Sequence, residues 1–203
     1  MKKKNSFAEL RDHEKRARQD VIIESAKRIF ATKPFSKVSI RDIAGEAGIS
    51  HASIYRYFPD QQSLFLEAYL HGAQEITAIL SGIIEKSGRK TIEKVADAYL
   101  NYLIDNDQFC RMMTHFMLDG SLPAEMVDKL NASERLIFDQ FDILFRKANM
   151  PEPVRPLSHA FFAALNGVHV TFRNYPGRTP AAVHQHMHHI AQVVVAKFKK
   201  TAV

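Results

Sequence analysis

Hydrophobic residues between positions 39 and 58 recur at helical spacing in two short runs that a glycine separates. Gly48 lies between the runs, and glycine ends helices because it adopts a left-handed backbone conformation at little cost. In the second run Ile54 and Phe58, four residues apart, give one side of a helix an apolar character. The pattern predicts two short helices joined by a tight corner, the second reaching Phe58. The first run places four residues on one face: Ile40, Ile43, Ala44 and Ala47.

Each predicted helix begins after a serine, Ser39 or Ser50, whose hydroxyl can accept a hydrogen bond from a free amide of the first turn. A helix with small polar, aromatic and basic groups on its outer side fits the major groove of DNA, where side chains near its N-terminus reach base edges. A hairpin that packs only against its own protein is the alternative, and the exposed arginine and tyrosines favour a DNA-binding helix-turn-helix. The outer side of the second helix carries His51, Ala52, Ser53, Tyr55, Arg56 and Tyr57.

Helical periodicity continues through the rest of the chain, and no segment alternates as a strand would. A first helix is predicted over residues 7–32 and ends at Pro34, and a long fourth helix runs from Asp60 to residue 85. Turn residues separate further predicted helices at residues 90–106, 107–118, 123–148, 153–175 and 179–200. We therefore expect an all-α fold, with a three-helix DNA-binding domain (residues 1–60) followed by an antiparallel helical bundle (residues 61–203).

The excess positive charge of the chain is concentrated near its start. The formal net charge is +6, and residues 1–60 hold 13 Lys and Arg against 8 Asp and Glu, which leaves +1 for the remainder. A basic domain attracts a phosphate backbone and makes binding dependent on salt. The basic arm formed by Lys2, Lys3 and Lys4 either lies along DNA or is a solubilising tail.

Cysteine usage and hydropathy indicate a cytoplasmic protein. Cys110 is the single cysteine, so no intrachain disulfide can form, and we expect a small buried side chain rather than a redox sensor. The basic start is not followed by the apolar segment of a signal peptide. No apolar run approaches the roughly 20 residues of a membrane span, so no membrane partner is expected.

Residues 21–66 resemble the N-terminal domain of the TetR family of bacterial transcriptional regulators. The resemblance rests on the segments IIESAKRIFA, FSKVSIRDIAGEAGIS and HASIYRYF and on the pair Leu64-Phe65. One position departs from the family pattern, which usually has lysine at the start of the fourth helix where this chain has Gln61. A charged phosphate contact is lost there, although glutamine can still donate a hydrogen bond.

The resemblance implies a set of DNA contacts, residue by residue. Ser39 and Tyr57 would contact phosphates, and Arg56 would contact a base or the backbone. The residues expected at or near base edges are Arg41, His51, Ala52, Ser53 and Tyr55. Ser50 and Gln61 complete the predicted DNA-binding set.

Methionine and aromatic residues are concentrated in the predicted bundle. Most should form the core, but methionine adapts to irregular ligands, and bundle interiors hold small-molecule sites. The resemblance implies an effector pocket between these helices, and the side chains favour an apolar or aromatic effector. The predicted pocket comprises Tyr99, Tyr102, Phe109, Met112, Met113, Phe116, Met117, Phe138, Phe141, Phe162, Leu165 and His169.

The resemblance also implies a homodimer in which the last two helices of each subunit form a four-helix bundle. DNA geometry argues for the same assembly, because one recognition helix reads only a few base pairs. The predicted interface comprises Phe161, Val168, Phe172, His186, Ile190 and Val193.

Four histidines occur close together on the last predicted helix, namely His184, His186, His188 and His189. Their spacing could hold a metal ion, but no acid or cysteine of this segment completes a site. We therefore predict no metal and no cofactor. If these histidines lie at the dimer interface, dimer stability should change with pH near neutrality.

These features together predict a ligand-responsive transcriptional regulator, a repressor that leaves its operator when an effector binds. The expected partners are double-stranded operator DNA, a small molecule and a second copy of the chain. A helix-turn-helix regulator that acts without a small molecule, or through protein partners, is the alternative. The sequence has no glycine-rich phosphate loop, His-Glu-x-x-His motif or activated nucleophile, so we do not expect an enzyme.

Overall fold

The computed structural model describes residues 7–33, 37–86, 88, 91–118 and 122–199. These residues form nine α-helices and no strand, so the all-α prediction is confirmed. The predicted basic arm and Pro34 lie outside the described residues. Chain contacts define two compact units, Met1–His71 and Gly72–Val203, which divide within the fourth helix rather than before it at residue 60. None of the helices in the described ranges has the length and apolar character that a membrane crossing requires.

The first unit begins with α1 (Phe7–Thr32), which has the predicted bounds. The first half of α1 is exposed, whereas Ile22, Ala26 and Phe30 in its second half are buried. The ring of Phe30 packs edge-on against Phe65 of α4, with 4.4 Å between the centroids. The apolar half of α1 therefore supports the helix-turn-helix, and its polar half is left to solvent.

A reciprocal pair of hydrogen bonds starts α2 (Ile40–Glu46). The amide of Asp42 donates to Ser39 Oγ at 3.2 Å, and the amide of Ser39 donates to the Asp42 carboxylate at 3.0 Å. This capping box satisfies two amides that have no partner within the helix. Lys33 Nζ also donates to Asp42 Oδ1 at 2.8 Å, so one carboxylate links the end of α1 to the start of α2.

Gly48 turns the chain between α2 and α3 with a φ of +66°. The amide of Ile49 donates to the carbonyl of Ala44 at 3.0 Å, and the amide of Gly48 donates to the carbonyl of Gly45 at 3.2 Å. These two bonds form a Schellman motif, which requires a left-handed residue. The predicted corner is thus confirmed.

The second helix of the motif, α3 (His51–Ile54), is shorter than the predicted helix, which reached Phe58. Beyond Ile54 the chain continues as a tighter turn in which the amide of Tyr57 donates to the carbonyl of Ile54 at 2.8 Å. Pro59 prevents the helix from continuing beyond this turn, because proline disfavours the α conformation at Phe58, the residue before it. Ile54 and Phe58 are nonetheless both buried, as the pattern predicted.

The second unit contains the later part of α4 (Gln61–Glu85) and five further helices. The helix α5 packs against α6, α8 and α9, and α8 also packs against α7. The predicted helices of this unit are all present, with ends that differ by at most three residues. The five are α5 (Thr91–Asp105), α6 (Asp107–Leu118), α7 (Ala124–Lys147), α8 (Arg155–Phe172) and α9 (Pro180–Lys199).

Two glycines of the helix-turn-helix should respond in opposite ways to alanine. Gly48→Ala should lower the free energy of unfolding by about 1–2 kcal/mol, because a side chain disfavours the left-handed conformation. Gly45→Ala is the matched control, since this exposed α2 residue has open space around an added Cβ. It should stabilise the protein by up to about 1 kcal/mol. Urea unfolding followed by circular dichroism measures both, and equal effects would contradict the role of Gly48.

Candidate functional site

The helix-turn-helix has an outward face. The buried side chains of Ile54 and Phe58 anchor this face from beneath and so position its exposed side chains. Ser53 and Tyr57 are half-buried at its edge. The structure therefore brings together the residues that the sequence grouped, although contact with DNA stays a prediction. The exposed members of the predicted DNA-binding set are Ser39, Arg41, Ser50, His51, Ala52, Tyr55 and Arg56.

Local contacts hold the side chains of this face in position. Ser53 donates its amide to Ser50 Oγ at 3.2 Å, which caps α3, and Arg56 Nη2 donates to Ser53 Oγ at 3.4 Å. The rings of His51 and Tyr55 meet edge to face with centroids 5.1 Å apart. Arg41 is exposed and forms no ion pair within the described ranges. A side chain that is free to turn can seek a base edge.

Ser39 and Gln61 are both engaged within the protein. The Ser39 hydroxyl lies 2.8 Å from Asp42 Oδ2, to which it donates. Gln61 Nε2 donates to the carbonyl of Val38 at 2.8 Å and fastens the start of α4 to the chain before α2. An amide nitrogen carries two hydrogens, so Gln61 keeps one donor for a phosphate. Ser39 would have to turn away from Asp42 to contact one.

The structure adds residues that the sequence analysis did not assign. Arg11, Lys15 and Arg18 lie on one side of the exposed half of α1, which we call the α1 cationic face. With Glu14, Arg56 and Tyr57 they line a cavity of about 240 Å³. Their spacing of four and three residues was the available signal, because such positions are neighbours on a helix.

Arg18 joins this face to the recognition segment. Its Nη1 donates to the Tyr57 hydroxyl at 3.4 Å, and Nη2 pairs with Glu14. The hydrogen bond to Tyr57 and the charge of Glu14 raise the pKa of Arg18, so its charge is secure. The arrangement holds a guanidinium beside a predicted phosphate contact.

The helix-turn-helix segment matches a known protein family. Residues 22–68 match the family model described as "Bacterial regulatory proteins, tetR family". The Transposon Tn10 TetC protein of Escherichia coli is 29% identical over 91 residues, which are 43% of this chain and 45% of that protein. The chain thus spans less than half the length of this relative.

Solved structures extend the likeness to the whole fold. A TetR-family regulator from Mesorhizobium loti superposes with a TM-score of 0.67 at 17% identity, covering 90% of this chain and 97% of that one. The first unit therefore contains a DNA-binding domain of the TetR family of transcriptional regulators. FadR of Bacillus subtilis, solved in complex with stearoyl-CoA, has a TM-score of 0.70 at 15% identity, covering 87% and 97% of the two chains. At these identities the likeness shows the fold alone.

The match to the TetR family model confirms two sequence predictions. The resemblance named the same family on residues 21–66, close to the matched range. The family is one of regulators with a DNA-binding domain, which confirms that the protein is not an enzyme.

Most residues of the predicted effector pocket lie in the core of the second unit. The Tyr99 ring lies 5.6 Å from that of Phe141, and the Phe162 ring lies 5.0 Å from that of half-buried Phe138. Met117 differs from the prediction, because it is half exposed on the outer side of α6. The buried members are Tyr99, Tyr102, Phe109, Met112, Met113, Phe116, Phe141, Phe162, Leu165 and His169.

Asn166 is a buried polar group among these side chains that the sequence analysis did not assign. Its Nδ2 donates to the Tyr99 hydroxyl at 3.0 Å and to the Phe162 carbonyl at 2.8 Å. Its Oδ1 accepts no hydrogen bond from the described residues. An unsatisfied buried acceptor is unusual in a folded protein and is a group that a ligand or water can satisfy.

The larger cavities of the second unit lie beside this core. A cavity of about 520 Å³ lies between α6 and α8, and one of about 430 Å³ lies at the start of α9. Of the predicted pocket residues, His169 lines the second of these. The predicted set therefore describes the packed interior, and the open space adjoins other side chains.

The predicted dimer residues separate into two groups. Phe161 is fully buried between Phe141, Phe145 and Phe198, with ring centroids 5.2–5.4 Å away, and Val168 is also buried. Both belong to the core of their own subunit, which corrects their assignment to the interface. Phe172, His186 and Ile190 are half-buried, and Val193 is 47% exposed. Val170 of α8, also 47% exposed, was not assigned.

Cys110 is buried and lies 3.2 Å from Nδ1 of His169. Burial raises the pKa of the Cys110 thiol to about 11 and lowers the pKa of His169. A neutral thiol beside a neutral imidazole supports the predicted structural role, because the thiolate is the reactive form.

The histidines of α9 have different surroundings. His188 lies 2.8 Å from Asn101 Oδ1 through Nε2 and 3.4 Å from Asp97 Oδ1 through Nδ1. His186 packs against the Phe172 ring, with 4.8 Å between the centroids. Within the described residues no cluster of three metal-ligand side chains includes them.

The capping carboxylate should make stability depend on acid pH. Hydrogen bonds from Lys33 and then Ser39 lower the pKa of Asp42 to about 2. Because the folded pKa is below the unfolded value of about 4, its stabilisation is present above pH 4 and is lost as the pH falls towards 2. We expect Asp42→Asn to be less stable than wild type at pH 5, with the difference narrowing towards pH 2.

Denaturant unfolding at several pH values measures this difference. The control is Asp12→Asn, on the exposed half of α1. Its difference from wild type should stay constant over the same range. A constant difference for Asp42→Asn as well would show that the capping box is not the source.

Proposed function

We propose that the protein is a homodimeric cytoplasmic repressor that binds operator DNA and is released by a small-molecule effector. The observation that carries the proposal is the outward face of the helix-turn-helix. Its polar and basic side chains are exposed while Ile54 and Phe58 anchor it from beneath. A recognition helix presented in this way suits the major groove.

In this proposal some residues of the outward face contact DNA bases and others contact the DNA backbone. Arg41, His51, Ala52, Ser53 and Tyr55 read base edges, and Arg56 contacts a base or a phosphate. Tyr57 contacts a phosphate, with Arg18 held at its hydroxyl. Phosphate contacts position the protein, whereas base contacts give the sequence preference.

Two copies are needed for two half-sites, which lie roughly 34–36 Å apart or at a multiple of that distance. The exposed aliphatic side chains of α8 and α9 support pairing through these helices. Val170 and Val193 are each 47% exposed, and half-buried Ile190 follows on α9. Burying them against a partner would remove apolar surface from water.

An effector would act by binding one arrangement of the dimer more tightly than the other. Regulators of the TetR family bind small molecules, and the FadR structure holds stearoyl-CoA. The helix α4 supplies residues to both units of this chain. Movement of α4 could therefore change the spacing of the two recognition helices.

A regulator that acts without a small molecule, or through a protein partner, is the second candidate. The dense packing of the predicted pocket favours it, since those aromatic rings contact one another. Release of DNA by a small molecule would decide against this candidate.

Arg41 and Arg18 should affect DNA binding in different ways. Arg41→Ala should cost about 1–3 kcal/mol on the operator and relax the sequence preference at one position. Arg18→Ala should weaken binding to all sequences and reduce the slope of log affinity against log salt by about 1. Fluorescence anisotropy with DNA from around the protein's own gene, at several salt concentrations, measures both.

Arg135→Ala on the exposed side of α7 is the control and should bind as wild type does. If Arg41→Ala leaves operator affinity unchanged, Arg41 does not read a base. Weak binding of the wild type to every sequence would argue against the operator in that DNA.

A charge on the exposed side of α9 should prevent dimer formation. Val193→Asp should shift the protein towards a monomer, because the carboxylate would lose its water at an apolar interface. Sedimentation velocity measures the change. Ile143→Asp, at a 40% exposed position on α7, is the matched control and should leave the dimer intact. An unchanged dimer in Val193→Asp would move the interface elsewhere.

A further inference from the structure

A cavity of about 430 Å³ lies at one end of the second unit. Its walls come from the junction of α5 and α6, the end of α8, the 173–179 connection and the start of α9. Known small-molecule sites have volumes of roughly 300–1,000 Å³, so the space suits a small ligand.

Positive side chains dominate the polar part of the wall. Arg173 and Arg178 line the cavity, and Asp107 is the acid among its described lining residues. Asp107 already has two arginine partners, with Arg173 Nη1 at 2.7 Å and Arg111 Nε at 3.0 Å. The positive charges of the two arginines therefore exceed the negative charge of Asp107, and the local charge remains positive.

Arg178 is the cation that remains available to a ligand. Its guanidinium stacks on the Tyr175 ring, 4.6 Å from the centroid, and the side chain is exposed. Stacking leaves the edge of the guanidinium plane open, and this edge donates paired hydrogen bonds to carboxylate or phosphate.

His169 contributes a buried polar atom to the same wall. The side chain is 1% exposed, and its Nδ1 faces Cys110. Its Nε2 lies 3.8 Å from Asp107 Oδ1, which is too long for a hydrogen bond. In the tautomer that carries a proton on Nε2, this nitrogen can donate a hydrogen bond to a ligand oxygen.

The remaining wall is apolar. Ile104, Val183 and Met187 line it, and Val183 and Met187 are almost fully buried. A ligand that satisfies both parts of the wall has an anionic head and an apolar body.

We propose that this cavity binds an amphipathic anion, a carboxylate or phosphate monoester on a short apolar chain, and that this anion is the effector. The proposal rests on the proposed function as a ligand-responsive regulator and specifies the ligand class of that function. Arg178 and His169 hold the anionic head, and the apolar body packs on Ile104, Val183 and Met187. The effector site is then the cavity beside the aromatic core.

Isothermal titration calorimetry of the full chain with octanoate, octyl phosphate and 1-octanol tests the ligand class. The three probes share one apolar chain and differ in the head. At least one anion should bind about tenfold more tightly than octanol, since a charge-assisted hydrogen bond is stronger than a neutral one. Octanoate and octyl phosphate distinguish a carboxylate head from a phosphate head. Equal binding of all three, or no binding of either anion, would overturn the proposal.

Variants of one exposed residue test the location. Arg178→Ala should weaken anion binding about tenfold, and Arg178→Lys should recover part of the affinity because it keeps the charge but loses the planar fork. Arg178 lies in an exposed turn, so the protein should fold without it. Arg135→Ala on α7 is the matched control and should bind as wild type does. Wild-type affinity in Arg178→Ala would overturn the assignment.

Anisotropy of operator DNA in the presence of the binding anion separates this proposal from the proposed function. The anion should release DNA from wild type at concentrations that leave the Arg178→Ala complex intact. If the protein binds the anion but no operator, the cavity is still an anion-binding site, whereas the proposed function as a DNA-binding regulator is wrong. Operator binding that the bound anion does not change would show that the cavity is not the effector site.

Discussion

The left-handed turn at Gly48 is the constraint on which the DNA-binding unit depends. It allows the two Schellman hydrogen bonds to form, and these fix the direction in which α3 leaves α2. That direction buries Ile54 and Phe58 and turns Arg41, His51 and Tyr55 outward. Without the turn the same residues would still form short helices, but they would not share one face.

Charge is arranged around this corner in a way that serves both folding and binding. The Asp42 carboxylate accepts hydrogen bonds from Lys33 and Ser39 and so stabilises the start of α2. Arg18 extends the exposed charge of α1 to the hydroxyl of Tyr57. The Asp42 carboxylate is engaged by partners within the unit. The cations of α1, such as Arg18, lie at the surface, where a phosphate backbone can reach them.

The second unit combines a dense aromatic interior with polar groups at its margins. Rings of α7 and α9 pack around Phe161 of α8, and the Tyr99 ring of α5 packs against Phe141, which leaves little room for a ligand there. The cavity of about 430 Å³ at the end of this unit differs from the aromatic interior. It lies where the chain turns between α8 and α9, and a connecting loop fills space less completely than packed helices do. Arg173, Arg178 and His169 meet in that space. This contrast is the basis of our proposal that the end cavity, and not the aromatic core, receives the effector.

The sequence by itself determined the helices, the corner at Gly48 and the TetR-family domain, because helical periodicity, caps and glycine are local signals. It also identified most of the buried side chains of the predicted pocket, such as Tyr99 and Phe141, although Met117 is half exposed. Periodicity states that a face is covered, but it does not state what covers it. Tertiary structure alone decided that Phe161 belongs to its own subunit's core, that Gln61 bonds to Val38, and that Arg18 reaches Tyr57. These outcomes depend on distances between residues far apart in the chain, and no local pattern encodes such distances.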